Sequence, residues 1–515
     1  MATAVAAARS PFAVVHLPGP RTEPRTLSFW TRRVIVELHT LRSAPEPDTV
    51  HDLRVAIRRC RALAAVMQEV DPDPCWPQLR KLARKLFRGL GAVRDAQVME
   101  EWIKKLAPEN DSLGPRLLAA LQSGEQERTE AALRVASKFD ERKWLSLDRA
   151  LRRRIRLIPI GGLGAECLAL ERFDEAKNLH HRALRSEKPK TWHGLRIGLK
   201  KFRYTVEGFL PEHAAAWIKN LKRLQDLLGD IHDLDVLAQK IRELEAPEDS
   251  VEYWLHKIGR ERHDRVETYR QLTLGRTSIW NEWRHNLPHG QRLELAATAR
   301  LRSTARAADA HSSRTSQESR LALRIFDILR RLSATPAFAD ATARRIFESA
   351  ALLHGVGTWN GHRLSPKSVR KFLSALPLPP NWSSDKWDVL SWAVRFQRGA
   401  EPKLKNGFAK LSEDQQLLVR TLAGVLRLAR ALRKSGIESP VGLRSEKSAD
   451  AFLLRIPGLA DTAETAGRLA NAKHLLESVL SKPLILKPVT RLEPSAPPSE
   501  TLLAPRSDTV PLASD

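Results

Sequence analysis

Two segments of the chain place a histidine and three basic residues at the same spacing. They read HDLRVAIRRCR from residue 51 and HGLRIGLKKFR from residue 193. On an α-helix, with about 100° per residue, the four positions fall within a stripe about 80° wide. Basic side chains clustered in this way suit phosphate, because they donate charge-assisted hydrogen bonds to its oxygens. The stripes comprise His51, Arg54, Arg58 and Arg61 in the first segment and His193, Arg196, Lys200 and Arg203 in the second.

Both stripes belong to a larger internal repeat. The block LFRGLGAVRDAQVM, from residue 86, follows the first segment, and LQDLLGDIHDLDVL, from residue 224, follows the second at nearly the same distance. Two blocks in the same order, about 140 residues apart, indicate a duplicated helical unit with about four helices in each copy. The helix that leads into each second block adds Lys81, Arg84, Lys85 and Arg88 in the first copy and Lys219, Lys222 and Arg223 in the second.

The stripes carry an electrostatic cost that a ligand would remove. Basic residues stacked at spacings of three and four oppose helix formation by about 0.2–0.5 kcal/mol per pair, and few acidic residues lie among them. We therefore interpret the two stripes as one shared anion site, with a solvated basic face as the alternative. Arg59 and Lys201 fall on another helix face, where we expect them to be solvated.

The composition limits the class of protein and of ligand. The 515 residues are enough for two to four domains, and 86 Lys and Arg against 60 Asp and Glu give a net charge of +26. This charge indicates a polyanionic partner, which could be nucleic acid, an anionic membrane or a phosphate polymer. No apolar run reaches the ~18 residues of a membrane-spanning helix, and three cysteines are too few for a disulfide framework. We expect a cytoplasmic protein with no membrane partner.

The fold class follows from helix-forming Leu, Ala and Arg and from apolar residues that recur at spacings of three and four. We predict an all-α fold, in which a duplicated helical bundle precedes a second, mostly helical domain. The predicted divisions are an N-terminal extension at 1–26, the bundle at 27–275, a joint at 276–292, the second domain at 293–488 and a disordered, proline-rich tail at 489–515.

The bundle resembles the CHAD family, the conserved-histidine α-helical domains. The motifs HDLRVAIRR, WHGLRIGLKKFRY and LKRLQDLLGDIHDLD carry this resemblance over about 27–275. Members of the family are duplicated all-α bundles with a basic central cavity that binds inorganic polyphosphate. The resemblance implies that both stripes line such a cavity, with Arg84 and Lys222 as the next candidates.

The second half resembles the C-terminal, HD-type helical domain of exopolyphosphatases and guanosine pentaphosphate phosphohydrolases. The segments RLALRIFDILRR, FESAALLHGVG and LAGVLRLARALRKS carry this resemblance over about 300–488. An HD metal site needs a His, a His-Asp pair and a late Asp, and these positions read Arg314, His354-Gly355 and Arg430. We therefore expect no metal and no catalytic residue here. The remaining alternatives are exposed charge or a second anion site formed by Arg314, His354, Arg427 and Arg430.

The predicted function is non-catalytic binding of inorganic polyphosphate, which could bring the protein to polyphosphate granules. The alternative is a phosphohydrolase that acts on polyphosphate or guanosine pentaphosphate through the HD-like half. A nucleic-acid binder also stays open, because the charge permits it and 13 Trp could stack on bases, although no RRM or zinc-finger motif is present. No cofactor is predicted, and the oligomeric state is left open.

Overall fold

The computed structural model describes residues 27–489, except for 108–112, 187, 245–246, 310–311, 333–335, 340–341, 360–361, 405, 447 and 449. The predicted N-terminal extension, and the predicted tail apart from its first residue, lie outside the described residues. The prediction of an all-α fold is confirmed, because helices form most of the described chain and the sheets are small. No described helix is long and apolar enough to cross a membrane.

The first copy of the repeat is built around the helix that carries the first stripe, α2. Leu53, Ile57 and Cys60, at spacings of four and three, are fully buried. Burial of this apolar face sets the rotation of the helix and turns the neighbouring basic face out of the core. The helices are α1 (Leu27–Ser43), α2 (Pro47–Val70), α3 (Cys75–Gly89), α4 (Gly91–Leu106), α5 (Leu113–Ser123), α6 (Glu125–Ser137) and α7 (Glu141–Leu151), followed by a 3₁₀ turn at Arg154–Leu157.

The second copy differs from the first at the block that follows the stripe. The first copy breaks there at Leu90, between α3 and α4, whereas the second continues as one helix of 32 residues. Gly89 ends α3 where the side chain of Val135 from α6 packs against it, and a Cβ at this position would lie 2.5 Å from Val135 Cγ1. The helices of the second copy are α8 (Leu163–Leu184), α9 (Pro189–Phe209), α10 (Pro211–Arg242) and α11 (Glu248–Thr273).

The segment predicted as a joint, 276–292, contributes to the core of the bundle. Ser278 caps helix α12 (Ile279–Asn286) by accepting a hydrogen bond from the backbone N–H of Asn281. Trp280 and Trp283 of this helix are fully buried and contact Phe173 and Phe202 respectively. Helix α13 (Gly290–Ala308) then packs against α8 and against the second region, so the two regions share an interface.

The second region has its own hydrophobic core, formed by residues between 301 and 484. Its helices are α14 (Ser312–Leu332), α15 (Pro336–Ala339), α16 (Ala343–Leu353), α17 (Pro366–Ala375), α18 (Ser384–Phe396), α19 (Glu413–Lys434) and α20 (Ala463–Leu480), with a 3₁₀ turn at Asn406–Lys410. Its strands are β1 (Thr358–Trp359), β2 (His362–Arg363), β3 (Arg444–Glu446), β4 (Phe452–Pro457) and β5 (Leu484–Val489).

A three-stranded sheet at the end of this region was not among the predicted elements. Strand β4 pairs antiparallel with β3 and parallel with β5, and α20 connects the two parallel strands. The strand sequences FLLRIP and LILKPV are short apolar runs. Periodicity alone does not distinguish such runs from buried helix, because neither the strand nor the helix period is visible over six residues.

Candidate anion-binding site

The two stripes meet at one site between the repeat copies. Arg54 and Arg58 from α2, together with Arg196 and Lys200 from α9, line two adjoining cavities of about 1330 and 680 Å³. We call these joined cavities the basic channel. The stripes converge because α2 and α9 pack side by side, and each helix buries the apolar face next to its stripe. The predicted shared site is therefore spatially possible.

The stripe cations that line the channel form no ion pair within the described part of the chain. Among the described residues, none of the salt bridges involves the four channel residues named above or Arg61, which lines the larger cavity. Arg59 and Lys201 lie outside the stripes and do have partners. Arg59 pairs with Glu207, and Lys201 Nζ lies 2.6 Å from Glu175 Oε1. Arg59 is also partly buried rather than solvated, so that expectation was wrong for Arg59.

Burial and mutual repulsion penalise positive charge in the unliganded channel. Burial, with the nearby charges of Arg196 and Arg58, lowers the pKa of Lys200 to about 7. Burial also lowers the pKa of Arg196, although Asp233 opposes the shift. The Nε atoms of Arg58 and Arg196 are buried without a hydrogen-bond partner among the described residues. A bound polyanion would neutralise these charges and remove the repulsion.

The two stripe histidines occupy different positions. His51 lies at the exposed end of α2 and lines the smaller cavity, with its Nδ1 atom 3.3 Å from Asp52 Oδ1. His193 lines neither cavity, and its Nδ1 atom lies 3.3 Å from Nδ1 of His232, which lines both. Burial, followed by Arg196, lowers the pKa of both His193 and His232, the latter to about 4. Near neutral pH these two imidazoles are therefore uncharged.

Other predicted residues lie outside the channel. Arg203 donates to Glu207 Oε1 at 2.6 Å and lines neither cavity. The three predicted residues of α10 are exposed and line neither cavity. The four predicted residues of α3 are exposed and line a separate groove of about 710 Å³ together with Lys143. We call this the outer groove. The α10 residues are Lys219, Lys222 and Arg223, and the α3 residues are Lys81, Arg84, Lys85 and Arg88.

Acidic residues of the channel were not predicted. Asp95 and Asp233 line both cavities, and they occupy the same position in the two repeat blocks, within GAVRD and GDIHD. Burial raises the pKa of Asp233 to about 6, although Arg196 opposes the shift. The shared aspartate of the two blocks was the available signal.

The positions proposed as a second anion site differ in their surroundings. His354 is buried; its Nδ1–H donates to Ala351 O at 2.7 Å, and its Nε2 lies 3.1 Å from Glu318 Oε2. Glu318 also accepts a hydrogen bond from Arg433 Nε at 2.6 Å. Although burial opposes the shift, His354 and Arg433 lower the pKa of Glu318 to about 2. A buried carboxylate thus occupies the place where an anion would have to bind.

The other three residues of that proposed site differ in their contacts and in their exposure. Arg430 lies in the field of Glu318, whereas Arg427 donates to the carbonyl oxygens of Phe396, Gly399 and Ala400 at the end of α18. Arg314 is exposed. The described residues contain no group of three or more His, Cys, Asp or Glu that could hold a metal ion.

The match to a family model supports the resemblance that the sequence of the bundle suggested. Residues 32–242 match the sequence model of the CHAD domain. None of the curated proteins matches the chain. Among solved structures, the chain is similar to the crystal structure of the CHAD domain from the plant Ricinus communis, with 23% identity, a TM-score of 0.40, and coverage of 51% of this chain and 96% of that chain. The HD-like resemblance of the second region stays a prediction. The chain therefore contains a CHAD domain, formed by residues 32–242.

Proposed function

We propose that the basic channel binds inorganic polyphosphate and that the chain binds this polymer without hydrolysing it. The observation that carries the proposal is the convergence of Arg54, Arg58, Arg196 and Lys200, from two repeat copies, on one channel where they lack acidic partners at ion-pair distance within the described chain. A flexible chain of phosphates supplies negative charge along its length, which suits a site with cations on two opposite helices.

The outer groove extends the same proposal to long polymers. Arg61 lines the larger cavity, and burial followed by the charges of Arg84, Arg80 and Arg88 lowers its pKa. Arg61 therefore lies close enough to the basic residues of α3 for their charges to repel its own. A polymer that leaves the channel beside Arg61 would find further positive charge in the outer groove, so the predicted residues of α3 keep a role as secondary contacts.

The proposal of binding without hydrolysis is supported by the second region. A metal ligand at position 355 would need a side chain, yet a Cβ at Gly355 would overlap the side chain of Thr315. Arg430 occupies the late ligand position, and a cation there repels a metal ion. We also propose that polymer binding brings the protein to polyphosphate granules in the cytoplasm.

Binding of long-chain polyphosphate by two double variants of equal charge tests the channel. Arg54→Gln with Arg196→Gln removes two channel cations, and Arg302→Gln with Arg306→Gln removes two exposed cations of α13. Charged hydrogen bonds contribute about 1.5–3 kcal/mol each. We therefore expect the channel variant to lose at least about a hundredfold in affinity, and the α13 variant to lose less than about threefold.

The salt dependence and a competitor complete the test. The slope of log affinity against log salt should be smaller by about two in the channel variant, because each removed arginine no longer neutralises a phosphate. Equal reductions of affinity in both double variants would show that net charge, not the channel, holds the polymer. Displacement of polyphosphate by an equal charge concentration of duplex DNA would instead favour the nucleic-acid alternative. Circular dichroism and thermal unfolding are the controls that test whether both variants fold.

A further inference from the structure

The larger cavity changes character along α2. Arg54, Arg58 and Arg61 line its first part, and mostly apolar residues of the same helix, together with Gln68 and Glu69, line the rest. Residues 54 to 70 span about 24 Å at 1.5 Å per residue, so the cavity is long enough to hold two chemically different parts of one ligand. We call the two parts the cationic end and the apolar end. The α2 residues of the apolar end are Ala62, Ala65, Val66 and Val70.

Residues of the second region also line the larger cavity. Helix α17 ends at Ala375, because Leu376 precedes Pro377 and a residue before proline avoids the helical conformation. The turn that follows lines the cavity, and its Leu378 is 44% exposed. We call residues 372–380 the apolar wall. The members that line the cavity are Phe372, Ala375, Leu376, Pro377, Leu378 and Pro380.

The charges at the apolar end differ from those at the cationic end. Three further acidic and three further basic residues line the larger cavity, and Glu69 of α2 pairs with Arg172. Burial raises the pKa of Glu171 and of Asp174. A polyphosphate that filled the whole cavity would place phosphates against apolar carbon and against these carboxylates. The six charged residues are Glu69, Glu171, Asp174, Arg80, Arg172 and Lys201.

From this division we propose that the larger cavity binds a nucleoside polyphosphate, with its phosphates at the cationic end and its nucleoside against the apolar wall. The proposal rests on the proposed function, because the same cations hold the phosphates. A base offers flat faces to Leu378 and Val66, and its amino group can donate to a carboxylate such as Glu171. A phosphorylated lipid fits less well, since its tail would bury these carboxylates without hydrogen bonds.

Competition between ATP and inorganic tripolyphosphate tests this assignment on the full-length chain. Both compounds carry three phosphates, so a tighter complex with ATP must come from the nucleoside. We expect ATP to bind about tenfold more tightly than tripolyphosphate in the wild type. The ratio should fall towards one in Leu378→Ser, which removes an apolar contact without adding charge. It should stay at the wild-type value in Val441→Ser, at a position 80% exposed that does not line the cavity.

Each outcome decides between this proposal and the proposed function. Equal affinity for ATP and tripolyphosphate, or a ratio that Leu378→Ser leaves unchanged, overturns the nucleoside assignment. Binding of long-chain polyphosphate without any binding of ATP also overturns it, and leaves the proposed function standing. If no phosphate compound binds, both proposals fail. A Leu378→Ser protein with the wild-type unfolding temperature shows that a changed ratio is not caused by misfolding.

Discussion

Lys200 should make the affinity for polyphosphate depend on pH. This residue lies on α9 inside the basic channel, where burial and the charges of Arg196 and Arg58 lower its pKa to about 7. Only its protonated form attracts phosphate. Above pH 7 the unliganded channel therefore has to take up a proton before Lys200 can contribute to binding, and this requirement weakens the complex.

The size of the effect follows from the pKa. With a pKa of about 7, Lys200 is about half protonated at pH 7 and about 3% protonated at pH 8.5, so the affinity should fall about fifteenfold between these values. Other channel groups change little in this interval. His193 and His232 have lowered pKa values and are already neutral, and Asp233, with a pKa of about 6, is already mostly ionised.

The assay is titration calorimetry with long-chain polyphosphate at constant ionic strength, because internal phosphates keep their charge over this interval. Proton uptake near pH 8, measured from buffers of different ionisation heat, should approach one per site. Lys200→Arg should keep tight binding and lose the pH dependence, since arginine stays protonated. Lys201→Arg, at the neighbouring residue that pairs with Glu175, should behave as the wild type. Equal affinities at pH 7 and 8.5 in the wild type, or an unchanged slope in Lys200→Arg, would refute the reasoning.

Two further predictions concern stability. Glu318, whose pKa is lowered to about 2 by His354 and Arg433 despite its burial, should contribute about 3 kcal/mol that is present above pH ~4.3 and lost as the pH falls towards 2. In urea unfolding, the difference between wild type and Glu318→Gln should then shrink from pH 7 to pH 3, and a constant difference would contradict this. Gly89→Ala should destabilise the bundle by about 1–3 kcal/mol, because the new methyl group overlaps a valine of α6. Gly229→Ala, where the added carbon meets no atom within 4 Å, should be neutral or stabilising, and equal destabilisation in both would rule out the overlap as the cause.

Much of the bundle was predictable because it depends on the spacing of residues within a single helix. The spacing of Leu53, Ile57 and Cys60 predicts which face of α2 is buried, and the same spacing places Arg54 and Arg58 on the neighbouring face. The repeat predicts that α9 does the same. Geometry on a single helix depends only on residue number, so a sequence pattern determines it once the helix forms.

Features that depend on packing between elements were not predictable in this way. Lys81 and Lys222 share the charge pattern of the stripes, yet they lie on α3 and α10 outside the channel. Asp95 enters the channel although a search for positive charge passes over it. The contact between Glu318 and His354 was likewise not predictable, since it joins residues 36 positions apart in sequence.

The sequence by itself determined that this protein has a duplicated, strongly basic helical bundle with two matched stripes of cations. It also shows that Arg314, Gly355 and Arg430 stand where the predicted HD resemblance would place metal ligands. The tertiary structure decided which of those cations share a channel, and that the apolar wall of the second region lines its larger cavity. The physical reason is sequence separation. Helix periodicity depends on residues a few positions apart and sets the face on which each side chain lies. The cavity that α2, α9 and residues 372–380 line together arises only when elements distant in sequence pack.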